Sequence, residues 1–474
     1  MKKIYYFLIE HVFKIIFAIT VYFPLEDFVL KFIPAPEGII TIVRLIPEFF
    51  LYILLVCVIV DRVKQGKELR KTPIDLIVIA FFLSASISIV INQAHLGESI
   101  ANLRTNFRYL SVYYILVNID ISSRQVSKIL KITIVMGLIQ AIVSSVQFFL
   151  PDSLDQILFA RAGTKAALGE FKSNASFGTL FDPTNLSSFL LVTNTIFLSN
   201  TYLNNRKINI IPDKKNLAIM LTFLFGIFAT KKRAALFIAL IVHLVIISRS
   251  RGMRSVGKFI WMSIISLLLF GVTSAYFLDW NAAQELGLLP YFTEIATPEY
   301  WDHTLNASRG FIITNVCRAL ISSFSLFGFG PTSDAVERGI INNLPLTSND
   351  LEQIDWSFYV LDDPYWFAIL GYFGIVGTII YWLIFWRFYK SSQFIVNTID
   401  FVSYKSLGLA FSNITILFYL YAFVERILRL RACSFYFWLI AGLTINSIYM
   451  YRSNQKYMNW QSTNKSEDDL VTIE

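Results

Sequence analysis

The sequence predicts an all-α, polytopic membrane bundle of about twelve transmembrane helices, with one large extracytoplasmic loop that carries short amphipathic helices. Three observations lead there. Apolar runs of roughly 20 residues, each the length of a membrane span, recur along the whole chain. The composition is 55% hydrophobic, 16% aromatic and only 16% charged, where a soluble domain carries about a quarter charged residues. The apolar runs are continuous rather than alternating, which excludes a membrane barrel and leaves helices that satisfy their own backbone.

The spans are expected near 4–24, 39–60, 73–93, 105–119, 129–150, 183–199, 216–230, 234–248, 258–279, 364–386, 400–421 and 432–451. The first has no small-residue cleavage site and reads as a retained anchor. Orientation follows from the basic loops. "DRVKQGKELRK" (61–71) holds five Lys/Arg, and "NNRKINIIPDKK" (204–215) and "RSRGMRSVGK" (249–258) hold four each. Positive loops stay cytoplasmic, and all three fall on one side when the N-terminus is inside. The net charge of +8 is explained by these loops, so no nucleic-acid partner is expected. The layout is therefore helices one to nine over 1–279, an extracytoplasmic loop over 280–363, helices ten to twelve over 364–451 and a cytoplasmic tail over 452–474. The 280–363 loop carries eleven Asp/Glu against three Arg and no Lys, a net of 3 − 11 = −8, which suits the outer side. The three cysteines lie far apart and the four histidines stand singly, so neither a disulfide nor a metal site is expected.

One stretch breaks the charge rule. "ATKKRAALFIAL" (229–240) puts Lys231, Lys232 and Arg233 between two apolar runs, and parity places them outside. The flanking runs of about 14 residues reach only roughly 21 Å, short of the ~30 Å hydrocarbon layer. The turn would then sit at membrane depth, where charge needs a water-filled cavity or a partner. Three readings are open: a polyanionic ligand, with Arg233 the best bidentate phosphate grip; contacts to lipid headgroups or to the acidic loop; or one continuous helix over 216–248 that would invert every later loop.

Other polar residues gather at predicted outer span ends. "NASRGFIITNVCRALISSF" (306–324) reads as an amphipathic helix with Asn306 or Ser308 as its cap and Arg309 in its first turn. Arg318, nine residues on, faces the opposite way. The apolar face would lie on the membrane surface or against the bundle, and "SLFGFGP" (325–331) would end the helix and redirect the chain. "DDPYWFAILGYFGIVG" (362–377) opens span ten, with Asp362 and Asp363 as helix caps or as carboxylates able to deprotonate a hydroxyl. Asp182 and Asn185 open span six, again as caps or as ligand contacts. Arg108 and Tyr109 open span four. Trp301, His303 and Tyr365 are further candidates for contacts to a sugar.

This order of motifs resembles the O-antigen ligase and polymerase family of bacterial membrane glycosyltransferases. The family has a tight span pair bearing "T-x-S-R" at the outer turn, here "TKKR". It has a large outer loop whose Arg opens a helix ahead of "P-L-F-G-x-G-P", here Arg309 ahead of "SLFGFGP". It has a later span with "G-x-x-G", here "GYFG". The resemblance covers most of the chain. It implies transfer of a glycan from undecaprenyl diphosphate to an acceptor hydroxyl on the outer face of the membrane, without metal, nucleotide or other cofactor. It implies diphosphate binding by Arg233 and Arg309 with Lys231 and Lys232, glycan contacts from Arg108, Asp182, Asn185, Tyr365, Trp301 and His303, and a lipid-linked oligosaccharide and a chain-length regulator as partners. The ligase branch carries a His shortly before span ten. This chain has Asp362-Asp363 there and no His after His303, which favours a polymerase over a ligase or a protein O-oligosaccharyltransferase, with Asp363 as base and Asp362 next. A flippase for lipid-linked glycans is the competing class. It is expected to show two similar halves and interrupted helices, and the sequence displays neither.

Overall fold

A computed structural model of the chain describes residues 2–33, 36–150, 158, 175–180, 182–204, 214–251, 297–298, 309–345, 364–399 and 401–471. The described residues form helices and turns without a strand. In chain order these are α1 (Lys2–Tyr22), a 3-10 turn and the short α2 (Glu26–Leu30), α3 (Glu37–Lys64), α4 (Asp75–Ile91), α5 (Leu96–Asn106), α6 (Leu110–Asn118) and α7 (Ser123–Phe149). They continue with α8 (Pro183–Asn204), α9 (Lys214–Ala229), α10 (Arg233–Arg251), α11 (Arg309–Ser323), α12 (Ser333–Asn343), α13 (Tyr365–Thr398), α14 (Val402–Tyr421) and α15 (Arg431–Val471). Among the described residues, five stretches are long and apolar enough to cross a membrane: Tyr5–Leu30, Gly38–Lys64, Ser123–Phe149, Tyr365–Thr398 and Arg431–Ser453.

The helices follow the apolar runs, and their ends follow local chemistry. Ser122 and Gln125 make a reciprocal capping box that starts α7, which satisfies two of the amide groups a helix start leaves open. The core is aromatic. Phe81, Phe107, Phe373 and Tyr381 pack in tilted and edge-to-face pairs with centroids 5.0–5.6 Å apart, and ring quadrupoles favour the edge-to-face arrangement. Elsewhere small residues let backbones approach: a Cβ added to Gly226 of α9 would sit 2.9 Å from the Ala141 Cα of α7, the close helix contact that small residues permit in lipid.

The chain alternates between two ends of the bundle. One end joins the α3–α4 connection to the end of α6. Arg62 donates to Asn118 O at 2.8 Å, Arg70 donates to Val117 O and Ile119 O at 2.9 Å, and Arg70 pairs with Asp120. Two cations thus cap the carbonyl end of α6, where the helix dipole is negative. The opposite end holds the α1–α3, α7–α8, α9–α10 and α14–α15 connections and is taken up below.

Four sequence expectations change. The span expected at 105–119 is two helices, α5 and α6, interrupted at Phe107–Tyr109, because Asn102, Asn106 and Arg108 turn inward to polar partners there. The span over 364–386 runs on to Thr398 as α13, broken at Gly374 by non-helical backbone. The tail expected at 452–474 is helical as far as Val471, where α15 ends, although the apolar stretch stops at Ser453. A single helix over 216–248 does not form: α9 stops at Ala229 and α10 starts at Arg233, and both pack on α8. The ninth expected span, 258–279, lies outside the described residues.

Candidate functional site

At the second end, polar and charged side chains fold inward instead of facing solvent. Glu26 of α2 is 3% exposed and accepts two hydrogen bonds from Arg431, at 2.9 and 2.8 Å. Arg431 also donates to Arg44 O, and Arg44 pairs with Asp27 at 2.8 Å. Beside this group Glu48 is 2% exposed and holds two arginines, Arg104 at 2.6 and 3.0 Å and Arg108 at 3.6 Å. Arg108 Nε is buried and makes no hydrogen bond. One carboxylate serving two guanidiniums leaves this triad with one net positive charge. Buried arginines are stable only with such partners, because desolvation costs several kcal/mol per ion.

A second network runs through α5, α13 and the α14–α15 connection. Arg429 donates to Asn102 Oδ1 at 2.8 Å and lies 5.6 Å from the centre of the Tyr372 ring, a cation–π distance. Asn106 accepts from Tyr365 Oη at 2.8 Å, and Tyr365 Oη meets Tyr381 Oη at 2.9 Å. Trp366 is tied to the same connection through Ala422 O and Tyr419 O. Sequence reasoning singles out Arg104, with Arg108, as a cation at the start of a span, but not Glu26, Asp27, Arg44, Glu48, Arg429 or Arg431, although charges inside or beside apolar runs are the usual mark of a site.

The Lys231–Arg233 turn belongs to this end as well. Ser176 N donates to Ala229 O at 2.9 Å, and Thr179 Oγ1 donates to Pro24 O at 2.6 Å beside Glu26. Gln140 and Gln147 of α7 hold the 177–179 backbone from below. Lys231 has φ +53°, a left-handed conformation uncommon outside glycine. Burial pushes its ammonium below the ordinary lysine range. Arg233 is the first residue of α10 and Arg309 the first residue of α11. Both sit where free amide groups already concentrate positive charge, a placement that suits an anion.

The other sequence candidates separate. Asp182 Oδ1 accepts from Thr184 N at 2.7 Å, so Asp182 caps α8 as the helix-start pattern predicts; Asn185 follows in the first turn, half-buried. Tyr365 is fully buried in the wall and its hydroxyl is held by Asn106 and Tyr381, which contradicts a direct contact to a sugar. Tyr109 is likewise buried, packed edge-on against Phe23 and Phe435. Arg108 faces Glu48 and not the outer surface. Arg318 is exposed, on the side of α11 away from its neighbours. Asp362, Asp363, Trp301 and His303 lie outside the described residues. α13 starts at Tyr365 with Pro364 as its cap, one residue later than the sequence suggests.

Two expected motifs meet. The 325–330 turn docks against the break in α13: Phe329 N donates to Gly371 O at 2.9 Å, Gly330 N to Tyr372 O at 3.2 Å and Val376 N to Leu326 O at 3.2 Å. Gly374 (φ +64°, ψ −169°) and Gly328 (φ +74°) touch across this junction, in conformations open to glycine alone or nearly so. Asn92 and Ser88 of α4 add bonds to Gly328 O and Tyr372 O. Tyr372 therefore links the docked turn to Arg429. No cluster of His, Cys, Asp or Glu suited to a metal occurs among the described residues.

Comparison with protein-family models gives no match, and comparison with curated proteins gives none either. What the fold and the site define is a helical chain with segments long and apolar enough to cross a membrane and a largely buried, arginine-rich polar layer at one end.

Proposed function

We propose that the chain is a polymerase of lipid-linked glycans in the bacterial cytoplasmic membrane, with twelve spans and its polar layer facing outward. The observation that carries this reading is the convergence of Lys231–Arg233 with the buried arginine networks at one end of the bundle. A diphosphate leaving group gains negative charge as its bond to the sugar breaks, and fixed cations in a water-poor site stabilise that charge. In the reaction, an acceptor hydroxyl on one lipid-linked repeat unit attacks the anomeric carbon of another. Its proton passes to Asp363, or to Asp362. The anomeric C–O bond breaks, and undecaprenyl diphosphate leaves against Arg233 and Arg309, with Lys231 and Lys232 beside them. The basic loops 61–71 and 204–215 support an outward orientation of the opposite end.

A second reading, a flippase for the same lipids, gains from one observation: α13 is broken at Gly374 and the α5–α6 passage at Phe107–Tyr109, and interrupted helices are a transporter feature. The two readings separate in one experiment. Purified protein given a defined lipid-linked repeat unit is expected to produce a ladder of polymers and free lipid diphosphate. Arg233→Ala and Arg309→Ala are expected to abolish the ladder while still inserting. Movement of the lipid-linked unit across a vesicle membrane without a ladder overturns the polymerase. Reporter fusions at 231–233 are expected to read the same side as fusions at 364 and the opposite side from fusions at 65–68.

A further inference from the structure

Beside the docked turn lies a cavity of about 600 Å³ between the end of α4 and the α11–α12 hairpin, within the range that binds small molecules. Its lining is divided by chemistry. Polar residues enter from both sides, Asn92 from the end of α4 and Arg338, Asn342 and Asn343 from α12. The rim is apolar and open: Ile91 is 64%, Phe324 85% and Leu326 57% exposed. Phe324 is held outward at φ +49°. The apolar rim does not end there. Leu76, Ile79, Leu83, Ile87 and Val90 are all exposed and run along one face of α4 up to the cavity mouth, at the three- and four-residue spacing of one helical stripe. A stripe of that length on an apolar helix is a surface for hydrocarbon chains, and a cavity at its end lies at headgroup depth.

We propose that this cavity holds the headgroup of an anionic glycerophospholipid of the surrounding bilayer, with one acyl chain laid along the α4 stripe. It rests on the bundle's lying in a membrane, not on the glycan-transfer reading. Arg338 is the one charged residue in the described lining. It is exposed and, among the described residues, makes a single hydrogen bond, Nε to Asp334 O at 3.3 Å, which leaves its other guanidinium donors available to a ligand. One positive charge matches the single negative charge of a phosphodiester, whereas a diphosphate would bring two or three. The carboxamide of Asn342, and the second N–H of Asn343, whose first is held by Gly339 O, offer further hydrogen bonds to phosphate and glycerol oxygens. The hairpin would thereby be anchored at the interface, next to the junction that joins it to α13.

The test places a photo-crosslinking benzoylphenylalanine at Phe324 in the full-length protein, reconstituted in bilayers of equal parts phosphatidylglycerol and phosphatidylcholine. Cross-linked lipid is identified by mass. Phosphatidylglycerol is expected to exceed phosphatidylcholine about fivefold, the preference that one interfacial arginine supplies. Arg338→Gln in the same background is expected to bring the two yields level while total lipid cross-linking persists, and Leu83→Ser with Val90→Ser is expected to lower both. Circular dichroism and the melting midpoint check that each variant folds. Equal yields in the parent protein, a preference unchanged by Arg338→Gln, or cross-links to protein in place of lipid would each overturn the proposal.

Discussion

Replacing Gly374 by Ala probes the junction between the 325–330 turn and α13. A Cβ there would run into Leu326 O and Gly328 N, both backbone atoms of the docked turn, so no side-chain rotation relieves the clash. The φ of +64° and ψ of −169° add strain of about 1–3 kcal/mol for any residue other than glycine. The cheaper response is for the turn to undock, which forfeits its three backbone hydrogen bonds to α13, worth about 1 kcal/mol each and hence about 3 kcal/mol together. The assay is hydrogen exchange of the full-length protein, read on peptides that cover 325–331 and 371–377, with a peptide from α7 as reference. A loss of ~3 kcal/mol corresponds to exchange roughly 100-fold faster at Phe329, Gly330 and Val376, with the α7 peptide unchanged. Exchange within about twofold of the parent protein at those amides would refute the steric reasoning and place the free energy of the junction elsewhere.

Glu48→Gln strands two guanidiniums, and is expected to cost about 2–3 kcal/mol, less than a fully buried pair because Arg104 stays partly hydrated. Arg104→Gln leaves Arg108 with Glu48 and should lower the melting midpoint less; the reverse order would show that Glu48 is not the shared anchor. Tyr365→Phe removes the hydroxyl held by Asn106 and Tyr381, and a loss of about 1 kcal/mol is the expected result, checked by melting; under the proposed polymerase reading the ladder length should not change. Lys231 has a folded pKa below its ordinary 10.5, so the folded state binds fewer protons than the unfolded state. The penalty is fully present below the folded value and is relieved as pH rises toward 10.5. Parent protein is therefore expected to gain stability over Lys231→Met across that window, in melting curves taken at stepped pH.

Much of the bundle is legible in the chain because membrane helices announce themselves by continuous apolar runs, and the break at 230–232 follows from three cations in such a run. The breaks at Phe107–Tyr109 and Gly374 are not legible in the same way. Each is stabilised by a partner far along the chain: Arg429 and Tyr365 for the first, the 325–330 turn for the second. Local propensity carries no trace of a bond 327 residues away. The buried arginines occupy a middle case. "VERILRLR" at 424–431 puts three arginines and a glutamate between two apolar runs, on the same side as Lys231–Arg233 by parity. The logic that picks out the "KKR" turn applies to it equally. What sequence withholds is the pairing, since Glu26 and Arg431 lie 405 residues apart.

The arginines that close the α3–α4 connection bear on how this topology is kept once made. In the proposed orientation, Arg62 and Arg70 act during insertion as part of a basic loop that resists translocation, a task that any cations of equal number could perform. In the finished bundle they donate to Asn118 O, Val117 O and Ile119 O, so the address label becomes a fastener. Lysines in their place would direct the nascent chain equally well but could not make the same forked contacts. A variant with both arginines changed to Lys should thus insert in the correct sense and yet lose its grip on α6, which separates the instruction that orients the protein from the bonds that hold the result.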